Sequence, residues 1–307
     1  MHSQGTGKFL ATVAASAASL TATGVATANA TEAQPSDQTV IDSRIKMSFE
    51  GSYFWNNLHN DDKLSSDKLG KGNGDISGAV SLTKQISPDW DWRLAAAVQL
   101  GKDRSALLFE QPETNPEGLV TGTYSDGYSF QTFDFDVGKH VKVQQADIRF
   151  FGGLRLVHSD ETLGEISEKF TPTNPADKGI AADKIGTAEY WGIGPRVGAE
   201  AYYPVGENWG LTGSASGAVM WGRRTAHVGV NISSTNPDEH FSETLASQGS
   251  NETVSNLDAS LGLSWTPITN ATFTAGYKIE AWHDLLVNAD HKNQVFQGPF
   301  LRLEVKM

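Results

Sequence analysis

The feature that most constrains this chain is a two-residue alternation of apolar and polar side chains, which recurs from residue 44 onward. In residues 298–307, for example, Leu301, Leu303 and Val305 alternate with Arg302 and Glu304. Successive side chains of a β-strand point to opposite faces of a sheet, so each segment has one apolar and one polar face. The pattern predicts an all-β fold with strands at 44–55, 74–86, 90–100, 131–137, 143–156, 190–203, 209–224, 256–265, 272–282 and 298–307.

Short and long connections alternate between these segments. Turn-forming residues occupy 87–89, 138–140, 205–208 and 267–270, and the other connections are long. An antiparallel up-and-down sheet with this order has all its tight turns at one end and all its long loops at the other, as transmembrane β-barrels do. We therefore predict such a barrel with about ten strands, and 8–12 as the permitted range. Its last strand, 298–307, pairs with its first, 44–55.

The alternation alone leaves two orientations open. A secreted soluble β-barrel that binds an apolar ligand would bury the apolar face, whereas a transmembrane barrel would turn it toward lipid. The tryptophans favour the membrane, because they fall at two levels about one crossing of 9–11 residues apart, where interfacial aromatic girdles form. The girdle near the tight turns would contain Trp90, Trp92, Trp209 and Trp265, and the other Trp55, Trp191, Trp221 and Trp282.

The polar face carries charges of both signs, and in a membrane barrel this face lines the lumen. Such charges set ion selectivity if the lumen is open, and hold the barrel together if they pair across it. Ten strands make a much narrower tube than the 16–18 strands of aqueous porins. The predicted lumen-lining charges are Glu50, Arg93, Asp134, Asp147, Arg149, Arg155, Arg196, Glu200, Asp258, Lys278, Glu280, Arg302 and Glu304.

The first 43 residues differ from the rest in composition. A weakly apolar stretch follows Lys8 and ends in Ala28-Asn29-Ala30, which predicts a signal peptide over 1–30 that is cleaved after Ala30. Residues 31–43 are polar and predict a flexible segment before the barrel of 44–307. The net charge of −12 argues against nucleic acid as a partner, and the absence of cysteine excludes disulfides and thiolate metal sites.

Several segments resemble the Legionella major outer-membrane-protein-like family of pore-forming proteins from Gram-negative bacteria. They are FDFDVGKHVKVQQADIRFFGGLRL (133–156), WGIGPRVGAEAYYPV (191–205), SASGAVMWGRR (214–224) and GPFLRLEV (298–305). The resemblance implies a β-barrel of the bacterial outer membrane, in contact with lipid and lipopolysaccharide, that forms a pore and has no catalytic residues. The last strand also resembles the sorting signal read by the outer-membrane assembly machinery, although it closes on Met307 where that signal usually has an aromatic residue.

Few residue groups suggest chemistry. Residues 158–160 read His-Ser-Asp, but consecutive residues of a strand point to opposite sides and cannot form a hydrolase triad locally. The Asp61-Asp62 and His283-Asp284 pairs invite comparison with omptin-type outer-membrane proteases, but their members are adjacent rather than alternate. No HxH or HxxxH spacing supports a metal site. We predict no catalytic, cofactor or metal-binding residues, and a passive role as a small pore for ions or solutes or as a structural surface protein. An omptin-like barrel enzyme stays as the alternative.

Overall fold

The computed structural model describes residues 45–58, 74–101, 104–114, 117–174, 178–234, 240–287 and 293–307. The predicted signal peptide (1–30), the predicted flexible segment (31–43) and the Asp61-Asp62 pair lie outside these residues. The described residues contain no helix of the length and apolar character needed to cross a membrane.

The described residues form one antiparallel sheet of eleven strands, in which nearly every strand pairs with its neighbours in sequence. The strands are β1 (Ile45–Asn56), β2 (Gly74–Ser87), β3 (Trp90–Leu100), β4 (Arg104–Thr114), β5 (Glu117–Val143), β6 (Ala146–Pro172), β7 (Ile180–Pro204), β8 (Trp209–Ser234), β9 (His240–Ile268), β10 (Ala271–His283) and β11 (Asn293–Lys306).

Two pairings close the sheet into a barrel. The first strand pairs with the last, and the backbone hydrogen bonds between Ile45 and Met307 measure 3.1 and 2.9 Å. Both β3 and β4 pair with the same edge of β5, β3 from Ser129 to Lys139 and β4 from Glu117 to Asp126. Because β3 and β4 lie one after the other along the same edge of β5, they count as one strand around the barrel. The wall formed by the eleven described strands is therefore ten strands in circumference. This confirms the predicted up-and-down barrel of about ten strands.

The two faces of the wall have opposite chemistry. Large apolar side chains cover the outside, and Leu301, Leu257 and Val197 are 69%, 67% and 64% exposed. The inward positions hold charged side chains such as Asp134 and Arg155, which are 8% and 7% exposed. A soluble barrel would bury its apolar face, so this arrangement excludes the soluble alternative and is the one that a lipid environment requires.

Three of the predicted long loops, those within 100–131, 156–190 and 224–256, are strand for most of their length, so the prediction of loops there was wrong. Strands β5 to β9 contain 27, 27, 25, 26 and 29 residues, far more than the roughly 9–11 that cross a bilayer. Their outer parts extend the wall beyond the ends of β1, β2, β10 and β11. Both faces of these extensions are largely polar, which removes the alternation from which a strand is recognised.

One predicted tight turn was also wrong. Residues 138–140 lie inside β5, and the turn between β5 and β6 falls at Gln144 and Gln145, where Gln144 has a φ of 56°. Gly138 serves a close approach rather than a turn. A Cβ placed there would lie 2.3 Å from the Arg149 Nε atom, so only glycine leaves room for that guanidinium.

Phe300 points into the barrel, and the structure explains how a large ring fits there. It is 2% exposed, and it lies against the register-paired glycines Gly262 and Gly276 of β9 and β10. A Cβ on Gly276 would lie 2.7 Å from the ring of Phe300. The Arg302 guanidinium lies 5.2 Å from the centre of the same ring and covers it.

Candidate functional site

The candidate site is the barrel interior, where charged residues form three connected groups. The first is nearest the tight turns and joins Asp91, His140, Asp147 and Arg149. Arg149 Nη2 lies 2.6 Å from Asp91 Oδ1. His140 contacts both carboxylates, with Nε2 2.8 Å from Asp91 Oδ2 and Nδ1 2.9 Å from Asp147 Oδ1. The hydrogen bond with the Asp91 carboxylate raises the pKa of His140 and Asp147 adds to the rise, while burial opposes it. His140 lies on the turn side of Lys139, which pairs with the predicted girdle residue Trp90.

The second group crosses the interior between β3, β5 and β7. Arg93 Nη1 donates to Glu200 Oε1 at 2.5 Å, and Arg196 Nη1 donates to Asp136 Oδ2 at 2.6 Å. The ring of Phe151 lies among the guanidiniums, 5.2 Å from that of Arg93 and 4.7 Å from that of Arg196. These contacts tie strands that are not neighbours in the wall.

The third group consists of two clusters, each of which joins carboxylates and cations from three strands. Arg155 binds Asp134 through two hydrogen bonds of 2.7 Å, and its Nη1 also reaches Asp258 at 3.5 Å. Glu50 accepts hydrogen bonds of 2.8 and 2.6 Å from Arg302 and one of 3.3 Å from Lys278. This second cluster joins β1, β10 and β11 at the seam that closes the barrel.

A cavity of about 150 Å³ lies among these groups. Its lining includes every charged residue predicted for the lumen except Asp147 and Arg149, which belong to the group nearest the turns. The predicted set omitted Asp91, Asp136 and His140, although Asp91 and Asp136 occupy inward positions of the same alternating segments. His140 was missed because a turn was predicted at that position.

An apolar cluster fills the interior on the loop side of the cavity. Phe130 packs against Trp282 and Phe296, with ring centres 5.2 and 5.7 Å away. The other buried members are Phe54, Leu58, Val157, Tyr190, Ala218, Met220, Val254, Leu285 and Leu286. The cluster places apolar side chains across the barrel where an open channel would have water.

Trp282 does not belong to the girdle farther from the tight turns, which we call the outer girdle, so this part of the prediction was wrong. It belongs to the interior cluster and is 2% exposed, because it follows the inward positions Lys278 and Glu280 at two-residue steps. The other seven tryptophans are on the outer face, and all except the half-buried Trp92 are clearly exposed. Trp209 and Trp265 stack with ring centres 6.1 Å apart beside the tight turns. Trp55, Trp191 and Trp221 lie farther from those turns.

The segment after β10 folds into the barrel mouth. Leu285 and Leu286 join the apolar cluster, and the backbone of residues 284–287 is held by side chains of the wall. Arg224 Nη1 donates to the Leu285 carbonyl at 3.0 Å, and its Nη2 donates to the Asp284 carbonyl. The Val287 amide donates to Glu161 Oε2 at 2.7 Å. We call residues 284–287 the lid.

The groups considered for chemistry are separated by the wall or are exposed at its rim. Ser159 is buried on the inner face, whereas His158 and Asp160 lie on the outer face, so the three do not converge. His283 Nε2 lies 3.3 Å from Asp284 Oδ2, and its Nδ1 lies 2.8 Å from Asn293 Oδ1.

Comparisons with known proteins place the chain in a family. The model of the family described as Legionella pneumophila major outer membrane protein precursor matches residues 51–307. A search of curated proteins found no match.

Solved structures show remote similarity. The outer membrane protease OmpT from Escherichia coli has 9% identity and a TM-score of 0.42, and the match covers 88% of this chain and 99% of the OmpT chain. The P. putida toluene transporter TodX has 9% identity and a TM-score of 0.39, and the match covers 87% of this chain and 90% of TodX. A major outer membrane protein from Thermus thermophilus has 12% identity and a TM-score of 0.35, with 86% and 99% coverage. On its match over residues 51–307, the chain belongs to the Legionella pneumophila major outer membrane protein family, and it is a β-barrel of the bacterial outer membrane.

Proposed function

We propose that the protein is a narrow passive channel for small ions, which is closed in the described conformation and opens when the lid leaves the barrel mouth. The observation that carries this proposal is the way in which the lid is held. It closes the mouth through side-chain contacts to a few backbone groups, not through a strand ladder. Such a segment can leave without unpairing the wall.

The lid is held by polar contacts to its backbone and by two apolar side chains. Besides Arg224 and Glu161, Gln294 binds both backbone groups of Leu286, accepting from its amide at 3.0 Å and donating to its carbonyl at 2.7 Å. Leu285 and Leu286 contribute two apolar side chains to the interior cluster. Withdrawal of the lid would thin this cluster and expose the cavity below it.

The charged cavity below the lid supports ions rather than large solutes as the cargo. It holds about 150 Å³ and is lined by carboxylates and cations of both signs. Rings of charged side chains select among ions in narrow pores. The side chains that pair across the interior leave no wide aqueous path in the described part of the barrel.

Conductance measurements on two adjacent arginines test the proposal. Arg224→Gln removes the hydrogen bonds to the lid and the ion pair with Glu252, whereas Arg223→Gln changes an exposed side chain of the outer face. In planar lipid bilayers we expect Arg224→Gln to raise the fraction of time spent open at least several-fold over the wild type, and Arg223→Gln to leave it unchanged. Each variant would first be shown to fold, by its heat-modifiable migration in detergent gels.

A structural surface role is the second candidate, and the paired interior charges favour it. Ion pairs such as Arg196–Asp136 join β5 and β7 across an intervening strand and stiffen the wall. If folded wild type and Arg224→Gln are both silent in bilayers, the channel is wrong and this role replaces it.

We further propose that the protein has no enzymatic activity, and that lipopolysaccharide and the outer-membrane assembly machinery are partners. The exposed position of His283, 3.3 Å from Asp284 Oδ2, supports neither a water-excluded site nor an oriented nucleophile. Changing His283 to Ala should leave bilayer conductance and folding as they are in the wild type. The apolar outward face of β11, which includes Leu301, supports recognition of this strand during assembly.

A further inference from the structure

We propose that His158, Asp160 and Glu189 form a binding site for a divalent transition-metal ion on the outer wall of the barrel. The ion that we expect to bind there is Zn²⁺. One ligand atom from each residue can be chosen so that all three lie within 4.8 Å of one another. The site lies outside the lumen and is independent of the channel proposed above.

Strand register brings the three residues together. His158 of β6 is paired with Trp191 of β7, and two positions farther from the tight turn Asp160 is paired with Glu189. All four side chains therefore project from one face of the wall, next to a tryptophan of the outer girdle. The sequence predicts no metal site because its histidines lack the usual local spacings. The ligands proposed here come from two strands, and Asp160 and Glu189 are 29 residues apart in the sequence.

Two carboxylates face each other at this site. Asp160 and Glu189 are direct register partners, and like charges in that position destabilise a sheet unless a cation lies nearby. Among the described ion pairs, both carboxylates have His158 as their cationic partner, with Asp160 Oδ2 3.0 Å from Nε2 and Glu189 Oε1 3.8 Å from Nδ1. A metal ion bound to the neutral ring would supply the positive charge that a protonated His158 otherwise supplies.

The second nitrogen of His158 is already committed. Nδ1 lies 3.3 Å from the backbone carbonyl oxygen of Tyr190, which can only accept, so we assign a proton to Nδ1. In the neutral ring this leaves Nε2 with a lone pair, 3.0 Å from Asp160 Oδ2, which is also an acceptor. Two acceptors at this distance need a proton or a metal ion to hold them together. A backbone carbonyl that binds the far nitrogen is also how metal-binding histidines are oriented.

Neighbouring aromatic contacts fix the ligands in place. The His158 ring stacks on Trp191 with centres 3.9 Å apart, and Trp191 Nε1 donates to Glu189 Oε1 at 2.5 Å. Imidazole nitrogen and carboxylate oxygen are both ligand types that Zn²⁺ takes, and three protein ligands leave a fourth position for water or another group. Ca²⁺ and Mg²⁺ prefer oxygen ligands alone.

The experiment is a calorimetric titration of the refolded, untagged protein in detergent with ZnCl₂ in a buffer that does not bind metals. We expect one Zn²⁺ per chain for the wild type, and an affinity at least tenfold lower for His158→Gln and for Asp160→Asn. His227→Gln, which changes an exposed histidine of β8, is the matched control and should bind as the wild type does. Zn²⁺ should also change the tryptophan fluorescence of the wild type, and Trp191→Phe should remove most of that change while the protein still binds Zn²⁺.

Three results would overturn the site. They are the absence of Zn²⁺ binding by folded wild type, an unchanged affinity in His158→Gln, and full competition by equimolar Mg²⁺ or Ca²⁺. In the first case His158 is a protonated partner of the two carboxylates and nothing more. Because the readout is metal affinity, a protein that is silent in bilayers can still have this site.

Discussion

Arg155 and Asp134 lie directly opposite each other on β6 and β5 and form a two-point ion pair inside the barrel, with Nε–Oδ1 and Nη2–Oδ2 distances of 2.7 Å. Both side chains are almost fully buried. A buried pair of this kind offsets the loss of hydration only when both partners are present.

Removing one partner of this pair should therefore be costly. We expect Asp134→Ala to lower the free energy of unfolding by about 3–5 kcal/mol, because Arg155 would keep its charge in a buried position. Asp134→Ala combined with Arg155→Ala should cost less than the sum of the single changes, with a coupling of about 0.5–3 kcal/mol. Urea unfolding in lipid vesicles, followed by tryptophan fluorescence, gives these values.

The Lys46–Glu304 pair is the control for this prediction. It spans 3.4 Å on the paired strands β1 and β11, but its side chains are 39% and 25% exposed. Because solvent screens such a pair, Glu304→Ala should change the stability by about 0–1 kcal/mol. Equal effects of Asp134→Ala and Glu304→Ala would show that the interior is hydrated throughout.

Leu301 tests which face of the wall meets lipid. It is 69% exposed and lies between Gly51 and Ala275 on the neighbouring strands. Leu301→Arg should destabilise the barrel in vesicles by about 2–4 kcal/mol if this position is near the bilayer midplane. Leu245→Arg, at a 58% exposed position of the β9 extension, should be nearly neutral. The reverse order of the two effects would contradict the membrane placement.

Trp282 and Trp221 separate an interior tryptophan from an outer one. Trp282→Ala removes a buried ring that packs 5.2 Å from Phe130, and should cost about 3–5 kcal/mol. It should also raise bilayer conductance, because the interior cluster loses its largest member. Trp221→Ala changes a ring that is 57% exposed and should leave conductance unaltered. Equal conductance of the two variants would mean that the cluster does not close the lumen.

His140 should make stability depend on pH. Its hydrogen bonds to Asp91 and Asp147 raise its pKa in the folded protein above the ordinary value of 6.5. A group with a raised folded pKa gives its full stabilisation below the unfolded pKa and loses it as the pH rises through the folded value. The urea concentration at the midpoint of unfolding should therefore decrease as the pH is raised from 6 to 9.

His140→Gln is the control for this pH dependence. Because glutamine does not titrate, the midpoint of this variant should fall less between pH 6 and pH 9 than that of the wild type. A parallel fall in both proteins would assign the pH dependence to another group.

The sequence alone determined the barrel and the orientation of its faces, but not the exact number of strands, because β4 lies within a predicted loop. Side chains alternate strictly across a strand, so Leu301, Leu303 and Val305 had to share one face and Arg302 and Glu304 the other. Turn residues at 205–208 and 267–270 likewise act locally and were placed correctly. These properties depend on neighbours within a few residues.

The tertiary structure decided what lies inside the barrel and at its rim. Arg93 meets Glu200 across 107 residues and Arg224 holds the lid across 61, and no local pattern predicts such partners. Strand register alone joins His158 to Glu189, and only the closed wall brings Trp282 of β10 against Phe130 of β5. Alternation fixes the face on which a side chain lies, but the closure of the wall fixes which side chains meet, because it sets the distances across the interior.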